Sequence, residues 1–206
     1  GKGKSLKIEN INVWFQRLSY VGELGWELYI PTEFIVPVFD LLRGISSEIG
    51  TRLCGIHAVD ALRIEKGYRH WGSDITQADT PIEAGLVSSV SFDKGGDFMG
   101  RSALEKQKEQ GTKKRLVFIM LKELVPLIFH DETIYCDGSI VGRVTSGAYG
   151  YSFNRPMGMG YLQTDHPCAW KNIPNGNYEV DVAGERVPVR LSLKPFYDPM
   201  GNRIHT

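Results

Sequence analysis

The sequence contains little cysteine and no excess of either charge. Its three cysteines, Cys54, Cys136 and Cys168, form no Cys-x-x-Cys pair, which argues against a disulfide framework and against a zinc motif. Twenty-four basic residues balance twenty-four acidic ones, so a nucleic-acid partner, which normally requires a basic surface, is not expected. No apolar run approaches the roughly 20 residues of a membrane-spanning helix, and we expect no membrane partner.

Several catalytic motifs are also absent. No Gly-x-Gly-x-x-Gly follows a strand-like run, so the chain shows no dinucleotide-binding fold of its own, and no Gly-x-Ser-x-Gly elbow occurs. The five histidines are scattered without the His-Glu-x-x-His spacing of zinc enzymes, so no metal site is predicted. Unpaired cysteines favour a reducing compartment, either the cytoplasm or the mitochondrial matrix.

The first half of the sequence mixes strand-like and helix-like patterns. Apolar residues alternate in some segments and recur at helical spacing in others. Gly3-Lys4-Ser5 lacks the strand and first glycine of a phosphate loop, and it is interpreted as a linker. The predicted elements are strands at 12–20, 24–30 and 86–92, and helices at 34–49, at 54–66 and from a cap at Asp97 to near Gly111.

After Gly111 the helical period disappears and short strand-like runs follow one another. Asp137-Gly138 suits a tight hairpin turn because these residues tolerate positive φ angles. The pattern predicts the α+β fold class, with a small C-terminal β-barrel following the mixed part. We place the domain boundary near residues 111–114 and predict domains at 1–112 and 113–206.

The most informative segment is residues 20–28, in which Glu23 lies between Gly22 and Gly25. A carboxylate at this position can accept hydrogen bonds from the amino and ring N–H groups of a flat heterocycle such as a pterin. Tyr20 and Trp26 could cover the faces of such a ring. The same residues are also compatible with a glycine-rich turn that carries aromatic cross-strand pairs.

Five segments together resemble the aminomethyltransferase family, the T-protein of glycine cleavage. They follow the family's order and span nearly the whole chain, and their combination is more specific than any one of them. They are the Tyr-Val-Gly-Glu-Leu-Gly turn at 20–25, the Asp-Ala-Leu-Arg-Ile-Glu-Lys-Gly helix at 60–67, the paired motifs at 72–75 and 80–85, the Phe-Met-Gly-Arg-Ser-Ala-Leu motif at 98–104 and the Gly-Arg-Val-Thr-Ser strand at 142–146. The resemblance implies the rest of a folate-binding domain followed by the family's C-terminal β-barrel.

Residues 65–71 and the tail at 194–199 resemble one branch of the family, sarcosine dehydrogenase and, less closely, dimethylglycine dehydrogenase. This resemblance implies a flavoenzyme that oxidises an N-methyl amine on an N-terminal FAD domain. Tetrahydrofolate in the C-terminal region then captures the one-carbon unit as 5,10-methylene-tetrahydrofolate. Confinement explains the arrangement, because a tethered acceptor meets the electrophile before water disperses it.

The resemblance also implies which residues contact the cofactor. Glu23 corresponds to the family's pterin-anchoring glutamate, with Tyr20 beside it, and Tyr197 lies where the family's tail folds back towards the ligand. Val59 stands where the T-protein has a folate-contacting arginine, so that contact is absent or replaced. Arg63, about one helical turn further on, could replace it, or it could simply pair with Asp60 on the helix surface.

The family's catalytic aspartate and much of its folate cage precede the Glu23 turn. The resemblance therefore implies partners for this chain, the missing N-terminal flavin and folate-cage domains, and no catalytic residue within it, so we expect the chain alone to be inactive. Two alternatives stay open. One is a glycine cleavage aminomethyltransferase, and the other is a non-catalytic regulatory module like the regulatory subunit of pyruvate dehydrogenase phosphatase.

Overall fold

The described part of the computed structural model is residues 2–205, without the side chain of Ser47. It begins with a three-stranded antiparallel sheet in the order β1-β2-β3. The strands are β1 (Gly3–Ile8), β2 (Ile11–Gln16) and β3 (Glu27–Tyr29). The linker predicted at the N-terminus is therefore wrong, because β1 pairs along its whole length with β2. The predicted strands at 12–20 and 24–30 exist but are shorter, since residues 17–26 form a loop between them.

Helices follow the sheet. A 3-10 turn (Thr32–Phe34) leads into α1 (Ile35–Glu48), and α2 spans Ile56–Lys66. Gly67 ends α2 in the left-handed region, with φ of +75°, as its position after the last apolar residue predicts. The last helix, α3 (Arg101–Gln110), begins after Gly100 without a side-chain cap. The cap predicted at Asp97 is wrong, because its carboxylate accepts from the adjacent Phe98 N–H instead.

The strand predicted at 86–92 is also wrong. The segment forms a 3-10 turn, Val87–Ser89. Ser89 and Val90 donate their N–H groups to Leu86 and Val87 carbonyls at 2.9 and 3.1 Å. Alternation of apolar and polar residues produces a strand only when a neighbouring strand completes the hydrogen bonds, and here the backbone bonds locally.

The next strands are β4 (Thr112–Leu121), β5 (Thr133–Cys136), β6 (Ser139–Gly150), β7 (Arg155–Cys168), β8 (Tyr178–Val182) and β9 (Glu185–Ser192). These six antiparallel strands close into a barrel in the order β4-β7-β6-β5-β8-β9. Asp137 and Gly138, with φ of +48° and +84°, form the hairpin turn between β5 and β6, which confirms that prediction. The predicted α+β class and C-terminal barrel are confirmed. The division into domains 1–112 and 113–206 stays a prediction.

Two apolar clusters hold these parts together. One fills the barrel interior and includes Val117, Ile119 and Val144, all fully buried. The second joins the outer face of the barrel to α2, where Ile64 meets Phe118. The second cluster fixes the end of α2 against the barrel, and this positions the residues described below. Within residues 2–205, no helix is long and apolar enough to cross a membrane.

Candidate functional site

The loop that carries Glu23 rests directly on the end of α2. Gly22 has φ of +81°, and a Cβ built there would lie 2.7 Å from the Lys66 Cγ atom. Glycine therefore serves two purposes at this position, because it adopts the left-handed backbone and it leaves room for the lysine stem. The Glu23 side chain that follows is 44% exposed, so its carboxylate remains accessible.

The C-terminal segment 197–205, which we call the tail, folds back onto this carboxylate. The Tyr197 hydroxyl donates a short hydrogen bond to Glu23 Oε1, and Arg203 Nη1 lies 3.6 Å from the same oxygen. The hydrogen bond to Glu23 raises the pKa of the Tyr197 phenol, because ionisation would remove the proton that the carboxylate accepts. The structure thus brings together two of the four residues implied by the family resemblance.

Glu23 lies on the wall of an open groove of about 560 Å³. This volume falls within the range of roughly 300–1,000 Å³ that is usual for small-molecule sites. The loop after β2 and the tail both line this groove, and Tyr68 contributes an aromatic surface. Lys2 and Arg17 add two basic side chains to the lining. The lining residues are Lys2, Arg17, Leu18, Ser19, Glu23, Gly25, Tyr68, Ile204 and His205.

Tyr20 lies behind the groove wall and supports Tyr68. The two rings are stacked, with centroids 6.0 Å apart and planes 8° apart, and the Tyr20 hydroxyl donates to the Arg69 carbonyl at 3.1 Å. Burial is the main cause that raises the pKa of the Tyr20 phenol. Sequence reasoning missed Tyr68. The sequence signal that could have identified Tyr68 is its position directly after Gly67. The left-handed turn at Gly67 ends α2 and directs the next side chain away from the helix axis.

Arg63 is not on the groove wall but in a buried polar network between α2 and the barrel. It is 4% exposed, and Asp74 is fully buried. Its Nε donates to Asp60 Oδ1 at 2.6 Å, its Nη1 to Asp74 Oδ2 and to the Tyr68 carbonyl, and its Nη2 to Ser146 Oγ at 2.9 Å. The pairing with Asp60 is present, although this arginine is buried rather than on the surface. Arg63 lines a different groove, of about 530 Å³, and not the groove beside Glu23. Its role in folate binding stays a prediction.

The groove beside Glu23 has the kinds of side chain that a reduced pteridine would require, a carboxylate for its N–H edge and an aromatic ring for its face. An ionised carboxylate has about four acceptor positions, and the Tyr197 hydroxyl occupies one of them. The described contacts of this carboxylate both reach Oε1, which leaves acceptor capacity towards the groove. Among residues 2–205, no three His, Cys, Asp or Glu side chains are grouped so that they could hold a metal ion.

The chain matches two family models in sequence. Residues 1–94 match the GCVT N-terminal domain, and residues 114–198 match the glycine cleavage T-protein C-terminal barrel domain. The chain is similar to the crystal structure of glycine cleavage system aminomethyltransferase T from Bartonella henselae, with a TM-score of 0.79 and 27% identity. That similarity covers 96% of this chain and 52% of the other.

Two curated relatives are similar along most of the chain. The first is 4-methylaminobutanoate oxidase (formaldehyde-forming) from Paenarthrobacter nicotinovorans, 41% identical over 98% of this chain and 24% of the relative. The second is mitochondrial sarcosine dehydrogenase from Mus musculus, 36% identical over 91% of this chain and 21% of the relative. The chain thus spans between a fifth and a quarter of the length of these relatives. The predicted T-protein-like fold is confirmed, and the chain belongs to the aminomethyltransferase (glycine cleavage T-protein) family, related to sarcosine and dimethylglycine dehydrogenases.

Proposed function

We propose that this chain is the tetrahydrofolate-binding C-terminal region of a sarcosine dehydrogenase-like flavoenzyme. In this proposal it receives the one-carbon unit released by oxidative N-demethylation and stores it as 5,10-methylene-tetrahydrofolate. The observation that carries the proposal is the Glu23 carboxylate, which Tyr197 holds on the wall of a groove of about 560 Å³. The similarity to an oxidase whose name specifies formaldehyde formation supports N-demethylation as the source of the carbon.

Each residue of the site has a separate task in this proposal. Glu23 accepts the amino and ring N–H donors at the edge of the pteridine, and Tyr68 covers part of its face. Arg17 and Lys2, which also line the groove, attract the carboxylates of the folate tail. Bound tetrahydrofolate would supply the nucleophilic nitrogens that take up the one-carbon unit. We further infer a mitochondrial matrix or cytoplasmic location.

Replacement of Glu23 by glutamine tests the proposal directly. In the full-length protein, Glu23→Gln should weaken tetrahydrofolate binding by about 1–3 kcal/mol, the scale of a hydrogen bond to a charged group. The amide keeps the shape of the side chain but loses the charge and half of the acceptor capacity. Titration calorimetry under anaerobic conditions would measure the dissociation constant.

Glu27→Gln is the matched control for this experiment. Glu27 lies four residues further along the chain and also accepts a tyrosine hydroxyl, that of Tyr29 at 2.8 Å, but on an exposed surface. The dissociation constant of the Glu27→Gln variant for tetrahydrofolate should equal that of the parent. Equal affinities for the Glu23→Gln variant and the parent would contradict the assignment of Glu23.

The surface of α1 supports the proposal that further domains pack against this chain. Val38 is fully buried, but the large apolar side chains around it are between 38% and 67% exposed. Apolar surface of this extent is typical of an interface with another protein part. We infer that the flavin and folate-cage domains of the full-length protein cover it. The exposed side chains are Ile35, Val36, Phe39, Leu42 and Ile45.

Hydrogen exchange can test whether α1 is covered. Backbone amides of α1 should exchange at least about tenfold more slowly in the full-length protein than in the isolated 206-residue chain, because packing suppresses local opening. The polar helix α3 serves as the internal control, and its exchange rates should be the same in both. Equal exchange of α1 in the two proteins would show that no other domain covers this face.

A glycine cleavage aminomethyltransferase is the second candidate. The similarity to the aminomethyltransferase T structure favours this candidate, because it covers 96% of this chain. Visible absorbance of the purified full-length protein separates the two functions. A flavin spectrum that bleaches on addition of sarcosine or dimethylglycine supports the dehydrogenase-like enzyme. A protein without flavin that transfers a one-carbon unit from a lipoyl protein supports the aminomethyltransferase.

A further inference from the structure

The tail contacts Glu23 twice, first through Tyr197 and again, after a turn at Asp198, through Arg203. The Asp198 carboxylate accepts the Asn202 N–H at 2.9 Å on Oδ1 and the Arg203 N–H at 3.1 Å on Oδ2. Its own backbone is in the left-handed region, with φ of +39°. These bonds curl residues 198–203 so that the Arg203 side chain returns to the Glu23 carboxylate. Further along, the Ile204 carbonyl accepts from Arg17 Nη2 at 3.4 Å.

This turn is fixed to α2 by a buried ion pair. Lys66 Nζ donates to Asp198 Oδ2 at 2.6 Å and to the Asp198 carbonyl at 2.9 Å. The two side chains are only 5% and 9% exposed. Burial of two charges carries a desolvation cost that offsets much of their attraction, and such pairs are better explained by the geometry that they specify than by stability.

The lysine of this pair also supports the Glu23 loop. Its stem packs beneath Gly22, the residue before Glu23, while its ammonium group holds Asp198. One side chain therefore contacts both segments that carry the Tyr197–Glu23 hydrogen bond, the Glu23 loop through its stem and the tail through its ammonium group.

We propose that Asp198 is a positioning residue that, with Lys66, holds the tail against Glu23 so that Tyr197 orients the carboxylate towards the groove. The tyrosine occupies one acceptor position and leaves others available to a ligand. Loosening the tail would leave Glu23 free to rotate, and a carboxylate that must be ordered on binding gives lower affinity. The ligand part of this inference rests on the proposed function, whereas the anchoring of the tail does not.

Asp198→Asn tests the proposal with little strain, because asparagine tolerates the left-handed backbone while it removes the charge. The control is Asp181→Asn, which changes an aspartate that accepts the Gly184 N–H at 2.9 Å in a turn of the barrel. In the full-length protein, amides of residues 197–203 should exchange at least about tenfold faster in the Asp198 variant alone. The dissociation constant for tetrahydrofolate should rise about tenfold, and it should not change in the control.

A double variant separates positioning from general damage. In a Glu23→Gln background, Asp198→Asn should change the dissociation constant by less than about twofold, because its effect acts through Glu23. Amides of β4 should exchange at parental rates, which verifies that the barrel is intact. Lys66→Met keeps the stem beneath Gly22 and should reproduce the Asp198→Asn result, and it replaces that variant if the latter does not fold.

The outcomes distinguish the positioning role of Asp198 from the proposed binding of tetrahydrofolate. If the parent binds tetrahydrofolate and Glu23→Gln weakens it, but Asp198→Asn binds like Asp181→Asn, the positioning role is overturned and the proposed function stands. Unchanged exchange of residues 197–203 in the Asp198 variant would overturn the anchoring itself. A parent that binds no tetrahydrofolate would overturn the proposed function and, with it, the ligand part of the inference.

Discussion

Arg63→Met should lower the free energy of unfolding by about 3–5 kcal/mol, the cost of removing one partner from a buried ion pair. The substitution keeps a similar apolar stem but leaves the Asp74 carboxylate, which is fully buried, without its cation. Thr145 Oγ1 at 2.5 Å and the His70 N–H at 2.9 Å would remain as donors to Asp74, and neutral donors do not compensate a buried charge.

The control for this experiment is an arginine on the barrel, in β6. Arg143 Nη1 is 3.0 Å from Asp131 Oδ1, but the two side chains are 69% and 64% exposed. Arg143→Met should therefore cost at most about 1 kcal/mol, as surface ion pairs usually do. Urea unfolding followed by circular dichroism would give both values. If the two arginine variants were equally stable, Asp74 would not depend on Arg63, and the network between α2 and the barrel would be unimportant.

Gly22→Ala is the second change with a large expected effect. Alanine at φ of +81° is strained, and its Cβ would lie 2.7–2.8 Å from three carbons of the Lys66 side chain. Backbone strain of about 1–3 kcal/mol and a similar cost of overpacking should together destabilise the chain by about 2–6 kcal/mol. Because the lysine has to move, the Tyr197–Glu23 contact should be lost and tetrahydrofolate affinity should fall with it.

Gly95→Ala provides the comparison, because a Cβ at that glycine meets no atom within 4 Å and its φ lies outside the left-handed region. It should change stability by no more than about 0.5 kcal/mol, as surface substitutions usually do, and it should bind tetrahydrofolate like the parent. Thermal unfolding and ligand titration of the two variants would be compared. A Gly22→Ala variant that matches Gly95→Ala in both measurements would mean that the loop does not rest on Lys66 as described.

Local sequence signals predicted the elements whose ends are set by short-range chemistry. Gly67 terminates α2 where its position after the last apolar residue indicates, and Asp137-Gly138 forms the hairpin turn of the barrel. Both depend on backbone conformations that few residues tolerate. The α+β class and the barrel followed from the loss of helical period after Gly111, which is again a local property.

The missed elements depend on strand pairing, which composition alone does not reveal. β1 has few apolar residues, and it is a strand because every residue from Gly3 to Ile8 finds a partner in β2. The segment near Val87 is the opposite case. Its apolar and polar residues alternate, but no neighbouring strand pairs with it among the described residues, and its backbone forms local hydrogen bonds. Alternation indicates which side chains could be buried, but only pairing decides whether a strand forms.

The candidate site likewise combines residues that the sequence identified with residues that it did not. Glu23 was identifiable because two glycines frame it, and Tyr197 through the family resemblance. Asp198 and Lys66 were not identified, because they are 132 residues apart and neither is unusual in its local sequence. Arg63 was predicted either to contact folate or to pair with Asp60 on the helix surface, whereas its most buried partner, Asp74, comes from a later loop. Charged residues in long-range networks carry no local pattern that would distinguish them.

The proposed function depends on the Glu23 carboxylate, which we infer holds the edge of a reduced pteridine. A crystal structure of the full-length protein with bound tetrahydrofolate would show whether it does. Both Glu23 carboxylate oxygens should lie about 2.7–3.2 Å from the amino and ring nitrogens of the pteridine, with Tyr197 still donating to the carboxylate. A structure in which the cofactor occupies another cavity while Glu23 faces solvent would overturn the proposal.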